Sequence, residues 1–179
     1  MSNFYAGVDV GATTVKIGTF SDKGELIEKW EIPTRKEEQG AHILQDIVDS
    51  LEAKREKCQG NILGIGMGIP GPVTDDGVVH RCTNFGWGVF SVKEKVIEMT
   101  VVGRVRISND ANIAALGEMW KGGGQGHKDL VMITLGTGIG GGIVHDGKII
   151  SGAFGAAGEI GHICVNKEET FVCGCGKCG

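Results

Sequence analysis

Apolar and polar positions divide the chain into short segments of contrasting period. Phe4-Tyr-Ala-Gly-Val-Asp-Val10 and Val15-Lys-Ile-Gly-Thr-Phe20 predict two strands around the small-residue loop Gly11-Ala-Thr-Thr14. Ser21-Asp-Lys-Gly24 predicts a turn, and Leu26 to Ile32 a third strand closed by Pro33-Thr34. From Glu37 to Lys57 the apolar residues Ile43, Leu44, Ile47, Val48 and Leu51 fall at helical spacing. They predict one amphipathic helix with a solvated charged face, His42 on its surface. Ile62 to Ile69 predicts a buried strand that runs into Pro70-Gly71-Pro72, a rigid turn able to wall a pocket. Val92 to Met99 predicts a short helix and Arg104 to Ile107 a short strand. Ala111 to Lys121 predicts a helix ended by Gly122-Gly-Gly124. The class is therefore α/β.

The most unusual stretch lies further on. Val131-Met-Ile-Thr-Leu135 predicts a buried strand, and five of the seven residues from Gly136 to Gly142 are glycine. Such a loop can bring backbone N–H groups close to an anion. Gly136, Gly138 and Gly141 fit G-x-G-x-x-G, but that fingerprint needs a helix immediately after it. Here Ile143-Val144, Asp146-Gly147 and Ile149-Ile150 follow, the pattern of a hairpin. A phosphate loop between two strands is the expectation, a Gly-rich structural turn its alternative. No G-x-x-x-x-G-K-[ST] occurs.

Composition narrows the function classes. At 179 residues the chain has material for one good core or two small ones, and its 41% apolar content is ordinary. The 32 glycines sit beside β-branched runs, which marks loop chemistry on a folded scaffold. A net charge of −4 without a basic tract gives no reason to expect nucleic acid. No apolar run reaches membrane-spanning length, and the N-terminus lacks a signal-peptide pattern, so no membrane and a cytoplasmic location are expected. Of six cysteines, four lie within Cys164 to Cys178, which suits a metal site better than disulfides.

Candidate chemistry sits at the segment junctions. Asp9, at a strand end, suits a hydrated Mg²⁺, and the hydroxyls of Thr13 and Thr14, the Gly11 backbone and Lys16 can meet phosphate. A plain hairpin with an Asp-stabilised turn is the alternative. Asn84, in the loop Thr83 to Trp87, suits a hydroxylated ligand or an Asx-turn. Asn109 and Asp110 open a helix; either they only cap it, or an ionised Asp110 accepts a proton from an attacking hydroxyl. Glu159 and His162 share a face at i and i+3. His162 with the later Cys173-Gly-Cys175-Gly-Lys-Cys178 gives a Cys₃His set for tetrahedral zinc.

In this order the pieces resemble the ROK sugar kinases, and among them the bacterial glucokinases. The carriers are Asp9-Val-Gly-Ala-Thr-Thr14, Gly68-Ile-Pro-Gly-Pro72, Asn109-Asp-Ala-Asn112, Leu135-Gly-Thr-Gly-Ile-Gly-Gly-Gly142, Gly158-Glu-Ile-Gly-His162 and Cys173-Gly-Cys-Gly176. The resemblance implies an actin-like ATPase (ribonuclease H-like) fold: a first α/β domain over 1–118 and the incomplete start of a second over 119–179. It implies ATP phosphates held by Asp9, Gly11, Ala12, Thr13 and Thr14 on one side, and by Thr134, Gly136, Thr137, Gly138, Gly140 and Gly141 on the other. Asp110 would be the catalytic base, with Asn84, Asn109, Glu159 and His162 on the sugar. His162, Cys173 and Cys175 would hold a structural zinc. ATP, Mg²⁺ and Zn²⁺ are the implied cofactors, and a homodimer the implied assembly.

The family's cysteine run continues beyond Gly179 to one more zinc cysteine and a glutamate of the sugar site, and Cys178 occupies a position the family does not use as a ligand. The expectation is the N-terminal part of a kinase for glucose, with N-acetylmannosamine, mannose or fructose as alternative sugars. Two other classes remain as alternatives. One is a repressor of the same family, which would need a helix-turn-helix before the strand that starts at Phe4. The other is a zinc-structured sugar-binding module without kinase activity.

Overall fold

The protein is described from a computed structural model, which covers residues 3–136, 138–172 and 176. The early alternation produces three antiparallel-linked strands, β1 (Phe4–Val10), β2 (Thr14–Phe20) and β3 (Leu26–Pro33). The single helix expected from Glu37 to Lys57 is instead two elements. A short piece, α1 (Glu37–Gly40), has Glu38 and Gln39 at positive φ, and α2 (Ile43–Cys58) follows from His42. The break has a physical cause. Gly40 is buried with φ +67°, and its carbonyl accepts a hydrogen bond from Trp87 Nε1 at 3.2 Å, so a distant loop fixes this corner.

The chain continues through β4 (Ile62–Ile69), β5 (Val78–Val79), β6 (Phe90–Ser91), α3 (Val92–Met99), β7 (Val105–Asn109) and α4 (Asp110–Lys121). Strand β7 extends two residues beyond the expected Ile107, and α4 starts at Asp110, one residue early. Then come β8 (Leu130–Leu135), β9 (Ile139–His145) and β10 (Lys148–Ile149), with a 3₁₀ turn at Ile160–His162.

Five strands form one sheet in the order β3-β2-β1-β4-β7, antiparallel on the β3 side and parallel across β1, β4 and β7. Its buried face carries Ala6, Val8, Val10, Val15, Ile17, Ile65 and Met67, packed with Ile43, Ile47 and Leu51 of α2 and Val92 and Val96 of α3. Each such side chain, fully buried, contributes about 1.5–3 kcal/mol. Strand β3 is an edge and is mostly charged outward, which protects it from pairing with another chain. Trp30 Nε1 donates to Ser50 Oγ at 2.8 Å, and Lys54 pairs with Glu28, fixing the edge to α2.

Strands β8, β9 and β10 form a separate three-stranded sheet. Asp146 and Gly147, both at positive φ, make the hairpin turn that the sequence predicted. Helix α4 packs against this sheet and also against β4 and β7. The expected boundary after residue 118 thus falls inside α4, which runs to Lys121.

The glycine stretch is differently arranged from the expectation. Gly140, Gly141 and Gly142 belong to β9 rather than to a loop. A Cβ on Gly142 would lie 2.6 Å from the Ala111 carbonyl oxygen and 2.6 Å from Ala115 Cβ. The strand lacks side chains there because a helix backbone lies on it.

The opposite face of the large sheet is partly open. Beside α4 a groove of about 940 Å³ is floored by Gly7, Gly18 and Gly66 and walled by Phe20, Leu26 and Trp120. Strand β8 leaves Val131, Ile133 and Leu135 exposed. Among the described residues no helix is long and apolar enough to cross a membrane.

Gly142→Ala should cost stability by about 1–3 kcal/mol, the usual penalty for overpacking. Gly66→Ala, with nothing within 4 Å of the added methyl, should be close to neutral. Urea midpoints of the two variants check the difference, and equal midpoints would contradict this account of β9.

Candidate active site

One cleft of about 530 Å³ collects residues from three distant parts of the chain. Asp9, Gly11 and Ala12 enter from the end of β1 and Asp110 from the start of α4, while Thr134, Gly136, Gly138 and Gly140 face them from β8 and β9. Pro70 and Asn84 close one side. Nine of the candidate site residues, and Pro70 of the turn expected to wall a pocket, therefore meet here. Val10, Ala111, Ala114, Leu135 and Ile139 also line it. Sequence reasoning missed these because apolar residues at element ends carry no local signal.

The loop bearing Asn84 is rigid. Cys82 N–H donates to Trp87 O at 3.2 Å and Trp87 N–H returns to Cys82 O at 3.1 Å. The Phe85, Trp87 and Phe90 rings pack edge to face with centroids 5.1 and 5.3 Å apart, and Trp87 is also tied to Gly40. Burial pushes the Cys82 thiol pKa up, so this cysteine is structural rather than reactive.

Asp110 is positioned from both directions. Asn109 is the N-cap of α4: its Oδ1 accepts from Asn112 N–H at 3.1 Å, and its Nδ2 donates to Gly71 O at 3.1 Å. Capping therefore falls to Asn109. Asp110 Oδ1 accepts only from the adjacent Ala111 N–H, at 2.8 Å. Its Oδ2 has no partner among the described residues, so one oxygen stays available to the cleft.

Asp9 is electrostatically coupled to it. The protein mass around Asp9 and then the Asp110 carboxylate push the Asp9 pKa above its ordinary value, while Lys16, its partner across β2, pulls it down. A divalent cation against Asp9 would relieve this repulsion, and a carboxylate facing open space suits a hydrated hard cation.

Several expected site residues lie elsewhere. Thr14 is the first residue of β2, and its carbonyl accepts from Gly11 N–H at 3.1 Å; Thr13 O accepts from Thr34 N–H at 3.0 Å. Gly11 N–H is thus spent on the turn, contrary to its expected role as an anion donor. Gly136 N–H is spent likewise on Gly138 O at 2.9 Å. The Ala12 and Thr13 N–H groups have no partner among the described residues. Lys16 lines the groove on the open sheet face rather than the cleft. Gly141 faces away from the cleft and meets Gly158 and Ile160.

Asn109, Glu159 and His162 also lie outside the cleft lining. His162 Nε2 is 3.6 Å from Glu159 Oε2, so the i, i+3 pair does share a face. Their turn abuts Ile139, since a Cβ on Gly161 would lie 2.1 Å from the Ile139 carbonyl oxygen. Thr137, Cys173, Cys175 and Cys178 lie outside the described residues. Among the described residues no group of three metal-binding side chains occurs.

The raised Asp9 pKa has a definite consequence. The ionised form is the one disfavoured in the folded protein. Asp9 therefore weakens folding as pH rises from about 3.9, its ordinary value, through the raised folded value. Asp9→Asn should raise Tm at pH 7 and leave it unchanged near pH 3. Asp110→Asn should lower the Asp9 pKa, read by carboxyl NMR titration. A Tm gain independent of pH would contradict the electrostatic cause.

Comparison with known proteins agrees with this geometry. The model of the ROK family matches residues 5–179. A glucokinase of Halalkalibacterium halodurans is 49% identical over 98% of this chain and 54% of its own length. An N-acetyl-D-glucosamine kinase of Vibrio atlanticus is 33% identical over 98% of the chain and 60% of its own. The chain thus spans a little over half the length of these relatives. The crystal structure of a ROK family glucokinase from Streptomyces griseus, in complex with glucose and AMPPNP, superimposes with a TM-score of 0.85 at 35% identity. That match covers 98% of this chain and 55% of the other. The fold is accordingly the actin-like ATPase fold of ROK sugar kinases, and the chain belongs to the ROK family.

Proposed function

We propose that the protein transfers the γ-phosphoryl group of ATP to the 6-hydroxyl of a hexose, glucose in the first place. The observation that carries this reading is Asp110, with one free carboxylate oxygen, in the same cleft as the small-residue turn at Gly11-Ala12 and the loop at Gly136 and Gly138. The similarity to glucokinases supports glucose, and that to N-acetyl-D-glucosamine kinases makes an N-acetylhexosamine the nearest competitor.

In this mechanism the sugar hydroxyl lies against Asp110 Oδ2, which accepts its proton as the oxygen attacks phosphorus. Phosphoryl transfer needs little covalent help from the protein, so positioning and charge stabilisation carry the rate. The Ala12 N–H would meet the phosphates from one side and Gly138 from the other, with Thr13 and Thr137 as the further proposed donors. Asp9 would hold a hydrated Mg²⁺, which would supply neutralisation of phosphate charge. Asn84, Asn109, Glu159 and His162 bind the remaining sugar hydroxyls.

The domain division near α4, the homodimer and a cytoplasmic location belong to the same proposal. So does a structural zinc on His162, Cys173, Cys175 and the cysteine that follows Gly179 in the family pattern. The donor set fits zinc chemically, being soft thiolates with one imidazole.

Asp110→Asn should keep the fold, because Asn109 supplies the cap, and should keep sugar binding. Its kcat with saturating glucose and ATP should fall by at least ~10²-fold, the lower end for losing acid–base help. A coupled assay of the full-length protein measures this, and near-wild-type turnover would exclude Asp110 as the base. For zinc, His162→Ala should empty the site and Cys178→Ser should leave one zinc per chain, by metal analysis of the full-length protein. Loss of zinc in Cys178→Ser would overturn the ligand set.

A further inference from the structure

We infer that Asn112 is a positioning residue for the sugar site: its side-chain amide fixes the Gly158–His162 turn against the N-terminus of α4. The inference rests on the hexose kinase reading above. Asn112 is 2% exposed, and its Oδ1 is buried without a hydrogen-bond partner among the described residues. A buried amide oxygen left unpaired is costly, so such a group marks a place where a donor is meant to arrive.

The neighbour at that place is Gly158. A Cβ built on Gly158 would lie 3.4 Å from Asn112 Oδ1 and 2.2 Å from the Gly141 carbonyl oxygen. Gly141 in turn has no room for a side chain, since its Cβ would lie 2.7 Å from Gly158 O. Turn, strand and helix meet here backbone to backbone, with Asn112 as the polar side chain in the contact. The Gly158 N–H has no partner among the described residues, and we take it as the donor that Oδ1 awaits.

The consequence follows from the helix register. Asn109 faces Gly71, Asp110 faces the cleft, and Asn112 faces Gly158. One turn of α4 thus aims the proton acceptor at the cleft and holds the segment bearing Glu159 and His162. Asn112 sets the distance between the group that takes the proton and the groups that hold the sugar. It does not line the cleft where the two phosphate loops meet, so the effect should be confined to the sugar.

The test compares Asn112→Leu, which keeps the shape and removes the acceptor, with Asn112→Asp, which keeps an acceptor near a helix N-terminus that tolerates the anion. In the full-length protein Asn112→Leu should raise the hexose KM by roughly 10-fold, the scale of one hydrogen bond, with the ATP KM within about twofold. Asn112→Asp should recover most of that loss. Hydrogen exchange of the 158–163 amides should be faster in Asn112→Leu without any substrate.

A purely structural Asn112 predicts a lower Tm with hexose KM and 158–163 exchange unchanged, and that result overturns the inference. So does an Asn112→Asp protein as impaired as Asn112→Leu. If Asn112→Leu does not fold, Asn112→Ser takes its place in the same comparison. If the wild-type protein phosphorylates no hexose, the functional reading fails. The exchange measurement still decides whether Asn112 holds the turn.

Discussion

The structure depends on one close contact, the backbone of α4 lying on the side-chain-free strand β9. Ala111 and Ala115 on the helix leave no room for a side chain at Gly142 on the strand. Because α4 also packs on β4 and β7, this contact joins the two sheets. The distance across the cleft is then set by packed backbone rather than by flexible side chains. Close packing of this kind has little compressibility, so the strand end at Asp9 and the helix start at Asp110 keep a fixed relation.

Electrostatics adds a second constraint. Burial, and then the nearby Asp110 carboxylate, raise the Asp9 pKa, a cost to the folded protein that Lys16 partly offsets. Like charges held close are unfavourable for folding and useful for chemistry, since a cation or a transferred proton relieves them. Asn109 makes the capping bond to Asn112 N–H that would otherwise fall to a neighbouring carboxylate. A scaffold residue thus leaves the reactive one unencumbered.

The same economy of side chains leaves apolar area facing water. The glycine-floored groove beside α4 and the exposed Val131, Ile133 and Leu135 of β8 lie outside the core. Contiguous apolar surface of this sort drives association. The core itself lies on the other face of the five-stranded sheet, under α2 and α3, where the alternating pattern is complete.

Much of this was legible in the chain. Strands β1 to β4 followed from their pattern, the Asp146-Gly147 hairpin from its turn chemistry, and the short helix α3 was read over its observed bounds. The motifs carried the family and nine of the cleft residues, because residues at strand ends and helix starts must project from the sheet edge whatever the packing. Three things were decided only by tertiary structure. Gly140 to Gly142 read as loop because glycine marks both a flexible turn and a surface against which another backbone lies, and local sequence does not distinguish them. The break before α2 came from Trp87, 47 residues from the Gly40 carbonyl it binds. The division of labour within Asn109-Asp-Ala-Asn112 depended on what each face of α4 meets. Sequence fixes which side chains are present at a helix start, but their direction and partners follow from how the helix is seated, and that is a property of the whole fold.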